Sequence, residues 1–254
     1  MKRIILCEGK TDSILISYFL LKTFGWSHMK HQSRERDFPI DDGNEQFNVY
    51  SHPEKTNQDL GIWGGKGLED LPRKLGLVAE RNRDERDPSR RYDRIVLFFD
   101  RDSRSEDDCI SLVRTWLQKA NIYVPTGRDL ILGAWFPTFT NLNLSPPKRY
   151  DQELLCIVLP PGANGALETF LLDCLKNESA SDKHLVDEAD KFIVTIPATP
   201  YLPQSRLRAK ACLGAVLSVI SPDWVFSDLD SRLRLVEWER IKSTVTAYSE
   251  LSRL

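Results

Sequence analysis

Short runs of branched and aromatic apolar residues alternate along the chain with segments whose apolar positions recur every three or four residues. That alternation predicts strand, turn and helix three times over. Arg3 to Cys7 is a buried-strand run, Glu8-Gly9-Lys10-Thr11-Asp12 a tight turn, and Ile14, Leu15, Tyr18, Phe19 and Leu21 carry a helical period that ends near Gly25. Thr11 or Asp12 is placed to cap this helix, because a side-chain oxygen there accepts from the free N–H groups of the first turn. Phe47 to Tyr50 and Leu60 to Trp63 are two weaker strand candidates. Gly64-Gly65-Lys66-Gly67 then opens an amphipathic helix through Leu68, Leu71, Leu75 and Val78, which Pro72 permits only from the first turn. Ile95 to Phe99 is apolar on both faces, as a central parallel strand covered by helices requires. It ends in Asp100-Arg101-Asp102-Ser103, and a helix of about 16 residues from Glu106 follows, with Ile110, Leu112, Val113, Trp116 and Leu117 inward.

After Tyr123 the regularity breaks until Leu154 to Leu159 restores a buried strand, which Pro160-Pro161-Gly162-Ala163-Asn164-Gly165 terminates. Ala166 to Leu175, Leu185 to Phe192 and Ser205 to Ile220 read as helices, and the polar tail from Ser227 is compatible with more helix. The expected fold is α/β: an open, mostly parallel sheet flanked by helices, with a helical C-terminal extension. Its expected division is residues 1–175 for the α/β domain, with surface excursions near 27–48 and 124–150, and residues 176–254 for a mainly helical extension packed on the same core.

Composition narrows the class. With 254 residues, 41% hydrophobic and 28% charged, the chain can bury a real core and is neither disordered nor fibrous. No stretch approaches the roughly 18 to 20 apolar residues of a membrane helix, and the expectation is a cytoplasmic protein with no membrane partner. Cys7, Cys109, Cys156, Cys174 and Cys212 are widely spaced, without a CxxC pair, and read as reduced core residues. His28, His31, His52 and His184 form no ligand pattern with them, which argues against structural zinc. The net charge of −2 shows no basic excess, and the mixed-sign Arg81 to Arg94 stretch reads as a solvated loop.

The chemistry-bearing residues fall at strand ends. In open α/β sheets, ligands bind beyond the carboxyl ends of the strands. Glu8 follows the first strand, Asp100 and Asp102 the strongest one, and Glu168 the turn after the last. A lone Asp at a strand end is more often a helix cap or turn former, but three acids at the ends of two buried strands favour a site. Aspartates at i and i+2 can face one cation, and an oxygen-rich set suits Mg²⁺ or Mn²⁺. Asp12 is open to either reading, site residue or cap.

Cys7-Glu8-Gly9-Lys10-Thr11-Asp12 resembles the glutamate motif of TOPRIM domains, and Phe99-Asp100-Arg101-Asp102-Ser103 resembles their DxD motif, in the same order. The likeness covers roughly residues 1–175, and within the superfamily the chain is most similar to small stand-alone TOPRIM proteins, whose late G-x-LE helix matches Gly165 to Glu168. The resemblance implies a TOPRIM-like Rossmannoid fold, with Glu8 in proton transfer or metal binding and Asp100 and Asp102 as metal ligands. By a more distant likeness to OLD-family nucleases it adds Glu168 as a metal ligand and Lys210 as a catalytic lysine. No topoisomerase tyrosine context, primase zinc module or Walker loop accompanies these motifs, since Gly64 to Gly67 lacks the G-x-x-x-x-G-K-[ST] spacing.

The expected activity is divalent-metal-dependent hydrolysis of phosphodiester bonds in DNA or RNA, with Lys10, Lys66 and Arg101 as phosphate contacts or supporting residues. One alternative is a non-catalytic, metal-binding subunit that holds nucleic acid or a protein partner in a defence or repair complex. Trp63, Trp135, Phe136 and Phe139 are candidates for base stacking there, although such residues are more often core. Another is a phosphatase of the haloacid-dehalogenase type with Asp100 as nucleophile, which the strand-turn-helix unit preceding that motif disfavours.

Overall fold

The structure, a computed structural model, describes residues 2–29, 46–54, 59–84, 88–144, 146, 148–224 and 227–254. Most of the surface excursion expected near 27–48 lies outside the described residues.

Seven strands form one sheet: β1 (Lys2–Cys7), β2 (Ser27–His28), β3 (Gln46–Ser51), β4 (Asp59–Gly64), β5 (Tyr92–Asp100), β6 (Trp135–Asn141) and β7 (Arg149–Leu159), in the order β2-β3-β4-β1-β5-β7-β6. β1 pairs in parallel with β4 on one side and β5 on the other. Next to β5 runs β7 in the same direction: Arg94 meets Glu153 near their starts, and Arg101 N donates to Leu159 O (2.6 Å) at their ends. The core of the sheet is therefore parallel, and β2, β3 and β6 add antiparallel edges.

The central strands are buried on both faces because helices supply both covers. Ile4, Leu6, Ile95, Leu97 and Phe99 join one apolar cluster with Leu71, Leu75 and Val78 of α2 (Leu71–Arg83) and Val113, Trp116 and Leu117 of α3 (Glu106–Lys119). The alternate residues Ile5, Cys7, Val96 and Phe98 are equally buried and point the other way, as strand pleating requires. α1 (Lys10–Thr23) packs on β1 and β4. Pro72 lies in the first turn of α2, the one place where its missing N–H costs nothing.

Three expectations need correction. The 124–150 stretch is not simply an excursion, because it contributes all of β6 and the start of β7. Leu154 to Leu159 is only the buried end of that 11-residue strand. The apolar signal faded there because β6 alternates buried and exposed positions, as an edge strand covered on one face does. The Arg81–Arg94 stretch is not wholly a loop either: Arg81 and Arg83 end α2, and Arg94 lies in β5.

The chain divides into two compact units, Met1–Phe99 with Arg104–Val158 and Glu250–Leu254, and Asp100–Ser103 with Leu159–Ser249. In the first, the C-terminal segment is tied to the sheet. Trp135 Nε1 donates to Glu250 O (2.9 Å), Arg94 donates to Arg253 O, and both guanidinium groups lie 5.5 Å from the Trp135 ring centroid. In the second, α4 (Leu167–Lys176), α5 (Ala180–Thr195), the short α6 (Ala198–Tyr201) and α7 (Ser205–Ile220) are followed by α8 (Leu229–Leu233) and α9 (Lys242–Tyr248), with α4, α5 and α7 packed on one another.

Candidate metal centre

Glu8 leaves β1 with its backbone held at both ends: its N–H donates to Phe98 O (3.1 Å) and its carbonyl accepts from Gly67 N (3.0 Å). The side chain is buried. The Gly64–Gly67 turn reaches it only because Gly64 is bare. A Cβ there would sit 2.9 Å from Gly9 O and 3.1 Å from Ser13 Cβ. Gly65, Lys66 and Gly67 then follow with φ of 101°, 65° and 82°, three left-handed residues in succession.

Lys74, which sequence reasoning did not single out, braces that turn. It is fully buried, and its ammonium donates to Gly65 O (2.8 Å) and lies 3.4 Å from Asp70 Oδ2. A signal existed, since positions 71, 74, 75 and 78 make one helical stripe and Lys74 is its single charged member. Asp70 feels this neighbourhood: burial pushes its pKa up, but the Arg73 hydrogen bond and the Lys74 and Arg73 charges outweigh it and hold the carboxyl below its usual value.

Asp12 does not begin its helix as an N-cap residue. α1 starts at Lys10, Gly9 is the N-cap, and Asp12 reaches back from the third position to accept from Gly9 N (2.7 Å). Lys10 and Lys66 are exposed, while Trp63 and Phe136 are core residues. Trp135 and Phe139 are half-buried, and the Arg149 guanidinium covers Phe139 at 4.2 Å from its centroid.

In the second unit the DxD segment is stitched to the turn before α4. Asp102 N donates to Gly165 O and Gly165 N to Asp102 O, both at 2.7 Å. This bridge bends the chain hard, with Asp102 at φ 54° and Gly165 at φ 135°. Arg101, expected as a phosphate contact, is buried, and its Nε donates to Pro160 O (3.1 Å).

That stitching delivers Asp100 to the start of α4. Its N-cap, Ala166, has no side-chain oxygen, and Asp100 Oδ1 instead accepts from Leu167 N (2.8 Å). A carboxylate is favoured there because the free N–H groups and helix dipole present positive charge. Glu168, the next residue, is also buried.

Each acid meets a cation from α7. Arg206 Nη2 stands 3.6 Å from Asp100 Oδ2, and Lys210 Nζ stands 3.5 Å from Glu168 Oε1. Sequence reasoning named Lys210 and missed Arg206, although the two sit four residues apart on one helix face. The acids are about 5% exposed or less and the cations 44–45% exposed, so each pair joins a buried carboxylate to a half-exposed cationic side chain. Glu168 Oε2 is buried without a hydrogen-bond partner. Such an atom normally costs free energy, and a cation ligand would satisfy it. Among the described residues, no group of three or more His, Cys, Asp or Glu side chains is gathered as a metal cluster.

Glu8 thus belongs to the first unit, and Asp100, Asp102, Glu168 and Lys210 to the second. Comparison with known sequences matches residues 2–223 to a family described as "Protein of unknown function (DUF3226)". The chain belongs to that family. No curated protein matches it. Among solved structures it is similar to the crystal structure of hypothetical protein PH0156 from Pyrococcus horikoshii OT3, with a TM-score of 0.50 and 15% identity over 99% of this chain and 98% of that one. At that identity the likeness concerns the fold.

Proposed function

We propose that this DUF3226 protein is a TOPRIM-type, Mg²⁺- or Mn²⁺-dependent nuclease that hydrolyses phosphodiester bonds in DNA or RNA. The observation that carries the reading is Glu168 Oε2, a buried carboxylate oxygen with no hydrogen-bond partner, one residue from the helix start that Asp100 caps. The chemistry of the buried acids fits a hard divalent cation: Asp100 and Glu168 supply only oxygen, and Asp100 keeps one oxygen tied to α4 while the other stands 3.6 Å from Arg206 Nη2. When bound, the ion would lower the pKa of a water and offset phosphate charge.

The chain's own residues divide the remaining work. Asp100 and Glu168 present negative charge from a backbone held by the Asp102–Gly165 bridge, so they need little reorganisation. Lys210 Nζ, half exposed beside Glu168, is placed to neutralise an incoming phosphate. In the first unit, Glu8 has its backbone fixed at both N and O, which suits a carboxylate that holds or moves a proton.

A second reading, a non-catalytic binding subunit, draws support from the same ion pairs, since Arg206 and Lys210 already give Asp100 and Glu168 cationic partners. Purified protein is tested against single-stranded, duplex and structured DNA and RNA with Mg²⁺, Mn²⁺ or chelator, beside Asp100→Asn. The nuclease reading expects metal-dependent cleavage, reduced by about 10²-fold or more in the variant. Equal cleavage by both proteins identifies a contaminant and removes the support. Metal binding with no cleavage by either selects the binding subunit.

A further inference from the structure

The pair formed by Asp100 and Arg206 is poorly made for a structural salt bridge. Its closest approach, 3.6 Å, lies beyond the 2.7–2.9 Å of a charge-assisted hydrogen bond. The acid is 4% exposed and the arginine 45%. Ion pairs with one solvated partner are weak, because water competes for the cation and holding a long side chain costs entropy. The contact that Arg206 would give up at the carboxylate is therefore a weak one.

Asp100 itself cannot turn away. Its Oδ1 is held by Leu167 N at 2.8 Å, and its backbone belongs to the segment bridged to Gly165, so Oδ2 has a fixed direction. The second pair repeats the pattern one helical turn along: Lys210, 44% exposed, stands 3.5 Å from Glu168 Oε1 while Oε2 is buried without a partner. Two buried carboxylates thus stand 3.6 Å and 3.5 Å from two half-exposed cations carried on one side of α7.

We infer that Arg206 is the resident counter-cation of Asp100, displaced when a divalent ion takes Oδ2 and then available to the phosphate of the substrate. The inference rests on the metal reading above and names Arg206 as a substrate-positioning residue that sequence reasoning passed over. A guanidinium suits this exchange because its planar fork matches carboxylate and phosphate oxygens alike. Before metal binds, it balances the charge at the buried acids. With a divalent cation bound at the acids, the Arg206 guanidinium would pair with the phosphate anion instead.

The test uses the full chain and two probes, Mn²⁺ alone followed by electron paramagnetic resonance, and inorganic phosphate titrated by calorimetry in saturating Mg²⁺. Arg206→Gln is expected to bind Mn²⁺ about five-fold more tightly than wild type, since a competing charge near 4 Å, partly screened by the solvent around the half-exposed arginine, is removed. The same variant is expected to bind phosphate about ten-fold more weakly, with Arg206→Lys between the two because it keeps the charge without the fork. Asp100→Asn is expected to weaken Mn²⁺ binding in either background. If Asp100→Asn weakens Mn²⁺ binding but Arg206→Gln leaves both affinities unchanged, the counter-cation role is overturned and the metal reading stands. If wild type binds no Mn²⁺, or Asp100→Asn binds it as wild type does, the metal reading itself falls.

Discussion

Replacing Asp100 by Ala and by Asn separates its structural work from its charge. Asp100 Oδ1 accepts the Leu167 N–H at 2.8 Å in a buried setting, and Ala166 offers α4 no cap of its own. Alanine leaves that N–H buried and unpaired, a loss of about 1–3 kcal/mol. It also removes the anion from the helix start, worth about 0.3–1 kcal/mol more. Losing the 3.6 Å Arg206 contact adds little, since the arginine is 45% exposed and the pair is long. The expected total is about 1.3–4 kcal/mol, which lowers Tm by roughly 3–16 °C for a protein of this size. Asparagine keeps an acceptor oxygen at the same place and gives up only the charge, so its expected loss is about 1 kcal/mol or less. Urea denaturation followed by circular dichroism, with calorimetric melting as a second measure, reads both variants without any assumption about activity. If Asp100→Ala proves as stable as wild type, the cap does not carry the start of α4 and the reasoning fails.

Three further outcomes follow from other contacts. Gly165→Ala places a Cβ 2.8 Å from Thr169 and demands φ near +135° of an L-residue, so a loss of about 2 kcal/mol or more is expected in the urea midpoint, and a neutral result would contradict the bridge geometry. Leu251→Ala empties a fully buried position in the C-terminal segment and is expected to cost about 2–4 kcal/mol, with Trp135 fluorescence reporting the loosened segment. Asp70 has a folded pKa below its unfolded value, so its contribution to stability is present above about pH 4 and is lost as pH falls through the lower folded value. The stability gap between wild type and Asp70→Asn should therefore narrow from pH 6 to pH 3, and a gap that widens on acidification would reverse the assignment.

Local periodicity carried much of this protein. The strand at Ile95 to Phe99, the helix after Glu106 and the first-turn place of Pro72 were all legible, because apolar period, strand alternation and proline geometry act over a few residues. The acids at strand ends were legible for the same reason: Glu8 and Asp100 each follow an uninterrupted buried run. What local pattern could not supply was pairing. An edge strand such as β6 buries one face only, so its signal is weak until β7 lies beside it. Arg101 read as a phosphate contact until the turn at Pro160 claimed its guanidinium. Asp100 caps a helix that begins 67 residues later, and no spacing rule reports an acceptor that far from its donor. Arg206 looked like any solvated helix arginine until α7 packed on α4, and Lys74 passed unremarked until the Gly64–Gly67 turn closed over it. Sequence determined which segments become strands and helices and where the candidate acids stand along them. Tertiary structure alone decided which cation meets which acid, because two side chains distant in sequence acquire a shared environment only when the fold removes them from water together.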